Sequence, residues 1–113
     1  MVLRVRTDRD LHNFLKEHCL PLSFLRSVDE WYLPLAERIA NHHAAASRSL
    51  LIGVNGSQGS GKSTLAALLT QLLAKNFGLK AIALSIDDFY LTREARLLLA
   101  SQIHPLFETR GVP

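Results

Sequence analysis

Eight consecutive residues constrain this chain more than the rest of it does. Gly56-Ser57-Gln58-Gly59-Ser60-Gly61-Lys62-Ser63 matches G-x-x-x-x-G-K-[ST] at every fixed position. Glycines permit backbone conformations closed to residues with a Cβ, so neighbouring N–H groups can turn inward as a nest for an anion. A helix opening directly behind such a loop adds the positive end of its dipole. Lys62 has the reach to bring an ammonium to the β- and γ-phosphates, and the Ser63 hydroxyl is the expected Mg²⁺ ligand. Thr64, in the first turn, can hydrogen-bond the α-phosphate. Gly56, Ser57, Gln58, Gly59, Ser60, Gly61, Lys62, Ser63 and Thr64 are therefore the candidate binding residues for a nucleoside triphosphate with Mg²⁺.

The motif needs a strand before it and a helix after it. Leu50-Leu51-Ile52-Gly53-Val54 is a short apolar run ending in a Gly-rich turn, as a buried parallel strand would be. From Lys62, Leu65, Leu68, Leu69, Leu72 and Leu73 fall on one helical stripe, and Gly78 is placed to cap the helix in a left-handed conformation. Residues 80–86 are apolar almost throughout and predict a second strand. Thr92 can cap a further helix from 93 to about 102, and the tail from His104-Pro105 to Gly111-Val112-Pro113 carries loop signals. Strand, helix, strand, helix gives the expected fold class, α/β with a parallel sheet. Two strands are too few for such a sheet, so residues 49–113 are expected to be the N-terminal part of a longer, truncated domain.

Residues 1–48 predict a helical extension in front of it. Leu11, Phe14 and Leu15 recur at helical spacing within 7–18, and Pro21 lies beyond their end. Ser27-Val28-Asp29-Glu30 has the form of a capping box opening a second helix, with Trp31, Leu35 and Ile39 as its apolar face. Pro34 interrupts that pattern, so the helix either kinks there or restarts with Pro34 in its first turn.

Composition removes several classes of function. Thirteen Lys and Arg against ten Asp and Glu leave a net charge of +3, scattered rather than clustered, so no nucleic-acid partner is expected. Cys19 is the single cysteine, which excludes an internal disulfide and a cysteine-based metal cluster. The N-terminus has no apolar region after its charges, and the uncharged stretch 63–74 is too short to span a bilayer. A cytoplasmic chain with no membrane partner is the expectation; the oligomeric state is open.

The second informative stretch is Ser85-Ile86-Asp87-Asp88-Phe89-Tyr90, at the expected carboxyl end of the second strand, where ligands of open α/β sheets bind. On the residues alone two readings stay open. Asp87 and Asp88 either cap a turn, or serve an acceptor hydroxyl and Mg²⁺. Gly56 to Thr64 followed by Asp87-Asp88-Phe89-Tyr90 resembles the P-loop kinase group of uridine kinase, phosphoribulokinase, pantothenate kinase and D-glycerate 3-kinase. Leu84 to Thr92, His104-Pro105-Leu106 and Thr109-Arg110-Gly111-Val112-Pro113 are most similar to the D-glycerate 3-kinase type. The resemblance covers 50–113 and implies a P-loop NTPase fold, a three-layer α/β/α arrangement of which two strands are present. It implies transfer of the ATP γ-phosphoryl to a hydroxyl-bearing small molecule, D-glycerate before uridine or another acceptor. Lys62 and Asp87 then become catalytic, Ser63 and Asp88 metal-binding, and Asp87, Tyr90 and Arg110 substrate-binding. A Walker-B-like acid, a lid and an adenine pocket have no match in these 113 residues, so this stretch alone is expected to be inactive. A reading of a different class is a non-catalytic nucleotide-binding fragment.

Overall fold

The structure, a computed structural model, describes residues 8–109. The chain divides into two compact units, with the boundary between Ala83 and Leu84.

In the first unit, helix α1 (Arg9–Glu17) starts at Asp8, whose carboxylate accepts from the backbone N–H groups of Asp10 and Leu11. Its buried residues are Leu11, Phe14 and Leu15, the three that the spacing predicts. The helix is closed by Cys19, which takes a left-handed φ of 53° while the Leu20 N–H returns to the Leu15 carbonyl. Helix α2 (Phe24–Ser27) runs into a π-helical turn, Val28–Tyr32, and then into α3 (Leu33–Ala46).

Ser27 is not the cap that the sequence suggests: its backbone is already helical and its side chain caps nothing. Pro34 explains the π turn. Proline has no N–H, and its ring crowds the carbonyl four residues back, so the backbone ahead of it widens. The Leu33 N–H reaches back five residues, to Val28. That extra residue shifts the phase of the apolar stripe. Val28, Leu33 and Ala36 are buried, whereas Trp31 is 71% exposed and Leu35 38%.

Helix α4 (Lys62–Phe77) buries Leu68, Leu69, Leu72 and Leu73 against Leu11 and Phe14 of α1, Val28, and Leu33 and Ala36 of α3. Burying those four leucines contributes roughly 6–12 kcal/mol, at about 1.5–3 kcal/mol each, so packing rather than local propensity fixes this helix. Gly78, at φ 63°, ends it as expected, with the N–H groups of Gly78 and Leu79 returning to the Leu73 carbonyl. At the same end, the Lys75 ammonium pairs with the carboxylates of Asp8 and, at 2.8 Å, Asp10.

That pair makes stability depend on pH in a defined direction. Burial pushes the Asp8 carboxyl up, but the Lys75 ammonium and the N–H groups of Asp10 and Leu11 outweigh it and hold it below its ordinary value of 3.8. Hydrogen bonds to Asp10 and then Asp8 raise Lys75 above 10.5. A depressed acid contributes stability above its unfolded value and loses it as pH falls through its folded value. Asp8→Asn keeps the helix cap and removes only the charge. Urea unfolding should therefore show a deficit for Asp8→Asn at neutral pH that shrinks as the pH drops below the ordinary aspartate range.

The expected α/β fold with a parallel sheet is corrected by the structure. Among the described residues there is no strand, and the regular elements are helices and helical turns. Segments 50–54 and 80–86, the two expected strands, make no backbone hydrogen bonds to one another, and Ile86 belongs to a 3₁₀ turn. A strand exists only through its ladder, whose partners must come from a neighbour. Apolar composition supplies the reason to be buried but not the neighbour. Leu51 accordingly lies fully exposed, and Ile82 and Leu84 are 75% and 71% exposed.

The second unit has a 3₁₀ turn (Ile86–Phe89), helix α5 (Arg93–Gln102) and a second 3₁₀ turn (Pro105–Glu108). Thr92 caps α5 as expected, its hydroxyl accepting from the Ala95 N–H at 3.2 Å. His104 is a cap as well: its Nδ1 accepts from the Leu106 N–H at 3.2 Å.

Candidate functional site

The Gly56–Ser63 stretch lies at the mouth of α4. Gly59 and Gly61 take left-handed conformations, with φ of 76° and 92°, and the Ser60 N–H closes a tight turn onto the Ser57 carbonyl at 3.1 Å. Gly61 stands where a capping side chain would be, and no side chain caps the helix. The first-turn N–H groups of α4 are thus left without an acceptor, next to the positive end of a 16-residue helix. Gly56 is held close: a Cβ there would lie 2.8 Å from Ser60 Oγ.

Lys62 Nζ folds back over the loop and donates to the carbonyls of Gly56, at 2.5 Å, and Ser57, at 3.0 Å. Sequence reasoning placed Lys62 at this loop but gave no sign of that bridge, which is a matter of backbone shape. Ser57, Gln58, Ser60 and Ser63 are exposed, Thr64 is half-buried, and the Ser63 hydroxyl has no partner among the described residues. Gly61 has the largest positive φ in the loop, 92°. Gly61→Ala should cost about 1–3 kcal/mol, the range for a non-glycine residue forced into such a conformation. A drop in the urea midpoint with an unchanged slope would be the sign of it.

The two aspartates occupy the Ile86–Phe89 turn, in the second unit. Ser85 and Asp88 form a reciprocal cap: Ser85 Oγ accepts from the Asp87 N–H at 3.2 Å, and Asp88 Oδ2 accepts from the Ser85 N–H at 3.1 Å. Asp88 therefore spends one oxygen on holding the turn. Asp87 is exposed, and its carboxylate has no hydrogen-bond partner among the described residues. Tyr90 follows directly and is half-buried. The structure thus separates two residues that the sequence presents as a pair. Arg110 lies outside the described residues.

The loop residues suit a polyphosphate: open N–H groups, a helix N-terminus and the Lys62 ammonium converge at 56–64. The Ser63 hydroxyl and the second oxygen of Asp88, which the sequence suggests for Mg²⁺, belong to different units, and each is without a hydrogen-bond partner among the described residues. No group of three or more His, Cys, Asp or Glu among the described residues could hold a metal. No helix among the described residues is long and apolar enough to cross a membrane.

Curated proteins similar to part of this chain include two from yeasts. One, "Uncharacterized kinase mug58" of Schizosaccharomyces pombe, is 44% identical over 68 residues, covering 58% of this chain and 24% of that protein. The other, "Probable ATP-dependent kinase TDA10" of Saccharomyces cerevisiae, is 46% identical over 68 residues, covering 57% of this chain and 23% of that protein. The chain spans about a quarter of the length of these relatives. No family model matches the chain, and no solved structure matches it.

Proposed function

We propose that this chain is the nucleotide-binding part of an ATP-dependent small-molecule kinase, with D-glycerate as the acceptor and uridine or another hydroxyl compound as the alternative. The observation that carries the reading is the 56–64 loop, where two left-handed glycines open a long helix and Lys62 Nζ lies over the loop carbonyls. The names of the two yeast relatives support a kinase. D-glycerate rests on the resemblance of 84–92 and 104–113 alone.

In this reading Gly56, Ser57, Gln58, Gly59, Ser60 and Gly61 enclose the phosphates with their backbone, and Thr64 bonds the α-phosphate. Lys62 gives up the carbonyls of Gly56 and Ser57 and turns its ammonium to the β- and γ-phosphates. Ser63 and Asp88 are the oxygens that would hold Mg²⁺, which would neutralise charge on the phosphates. Asp87 accepts the proton of the acceptor hydroxyl as that oxygen bonds to the γ-phosphorus and the bond to the bridging oxygen breaks. Tyr90 and Arg110 contact the acceptor. Positioning and charge stabilisation carry most of the catalysis in such transfers.

Isothermal calorimetry with Mg²⁺–ATP tests the proposal, comparing the protein with Lys62→Ala. The unsubstituted protein should bind, and the variant should bind at least about tenfold more weakly, since it loses charge-assisted hydrogen bonds to phosphate. Equal affinities would remove the loop from the site and sink the reading.

A further inference from the structure

Two donors meet at the Ser57 carbonyl: the Ser60 N–H at 3.1 Å and Lys62 Nζ at 3.0 Å. A carbonyl oxygen has two lone pairs, so the turn and the lysine between them use this acceptor fully. The same ammonium also donates to the Gly56 carbonyl at 2.5 Å. Its stem crosses Gly56 closely, since a Cβ there would lie 3.5 Å from Lys62 Cγ and 3.6 Å from Cδ. Lys62 thus ties the far end of the loop back to its beginning. The backbone between these points needs such a tie. Gly59 and Gly61 stand at φ of 76° and 92°, in a region that glycine enters freely and leaves as freely.

We propose that Lys62 is a latch on its own loop: its ammonium, shared by the Gly56 and Ser57 carbonyls, holds the Ser57–Ser60 turn closed until a polyphosphate draws the ammonium away. The proposal rests on the nucleotide reading above and adds a regulation of the same site. One charge first keeps the loop formed and then serves the ligand. Phosphate oxygens can win the exchange, because a hydrogen bond between two charged groups is stronger than one from an ammonium to a neutral carbonyl. A loop held ready in this way has less conformational freedom left to lose when the ligand arrives. The motif itself marks Lys62 for the phosphates, and this second task is visible only in the folded backbone.

The test reads the Ser60 amide, whose hydrogen bond closes the turn. Proton NMR measures its exchange with water, without nucleotide, in the protein and in Lys62→Met, which keeps an apolar stem and lacks the ammonium. Exchange in Lys62→Met should be about fivefold faster or more, roughly the worth of one net hydrogen bond. Lys62→Arg keeps donors for the two carbonyls and should lose less. The Leu68 and Leu72 amides, in the middle of α4, should exchange alike in all three proteins and so report that the variants fold. In a second arm, inorganic pyrophosphate should shift the Lys62 Nζ signal of the unsubstituted protein, assigned from its loss in Lys62→Arg. Equal Ser60 exchange in Lys62→Met and the unsubstituted protein would overturn the latch. So would a Lys62 signal that stays in place while calorimetry shows pyrophosphate bound. If Lys62→Met does not fold, the pyrophosphate arm decides. If neither Mg²⁺–ATP nor pyrophosphate binds, the nucleotide reading fails, and Ser60 exchange still decides whether Lys62 holds the turn.

Discussion

Asp87→Asn is expected to lower kcat for phosphoryl transfer by about 10²–10⁴-fold, the range for losing a positioned general base. Affinity for Mg²⁺–ATP should stay within about twofold, because the nucleotide is assigned to 56–64. The basis is the inequality between two adjacent carboxylates. Asp88 Oδ2 holds the Ser85 N–H at 3.1 Å, while the carboxylate of exposed Asp87 makes no hydrogen bond among the described residues. Asn is nearly isosteric with Asp and removes the charge without removing bulk. The matching change at the neighbour, Asp88→Asn, keeps a side-chain oxygen able to accept from Ser85; it gives up the second oxygen proposed for Mg²⁺ but leaves the base in place, and should cost less than Asp87→Asn. Both are assayed on the whole protein, by coupled release of ADP with D-glycerate and with uridine. If Asp87→Asn stays within about tenfold of the unsubstituted rate, or Asp88→Asn does the greater damage, the roles given to the two residues are wrong.

That inequality also marks how far the residues alone carry the argument. The carboxylates form one dipeptide in the sequence, and both turn-capping and chemistry are open to each. Which one caps is set by spacing, since Asp88 stands three residues after Ser85, where a capping box closes. The loop at 56–64 is legible because its conformation depends on backbone freedom, and glycine is the residue that announces it. The caps at Asp8 and Thr92 and the left-handed end at Gly78 are legible for the same local reason. Cys19 and Ser47 end their helices with the same left-handed geometry but carry a Cβ, so no glycine announces them. The apolar stripe of α3 is misphased for a different reason. A proline-induced π turn inserts one residue into the period, and Val28 and Leu33 replace Trp31 and Leu35 on the buried side. The expected sheet fails on a global condition, since apolar runs at 50–54 and 80–86 need partners that no local pattern contains.

Leu68→Ala is the substitution expected to cost the fold most, about 2–5 kcal/mol. Leu68 is fully buried, and α4 carries both the candidate loop at its N-terminus and the leucines that hold it against α1 and α3. Truncation loses the transfer free energy of the removed atoms and opens a cavity whose size depends on how far the neighbours relax. A small unit is stable by only a few kcal/mol, so a loss of this size is expected to leave a large fraction of the first unit unfolded. Leu65→Ala gives the comparison, because Leu65 lies on the same stripe but only half-buried beside the core, and should cost less. Urea unfolding followed by circular dichroism measures both. A Leu68→Ala midpoint no lower than that of Leu65→Ala would show that α4 is held by something other than its leucine face. With the core lost, Mg²⁺–ATP binding should fall in Leu68→Ala in proportion to the unfolded fraction. A high concentration of nucleotide should restore the helix, because a ligand that binds only the folded form stabilises it by mass action.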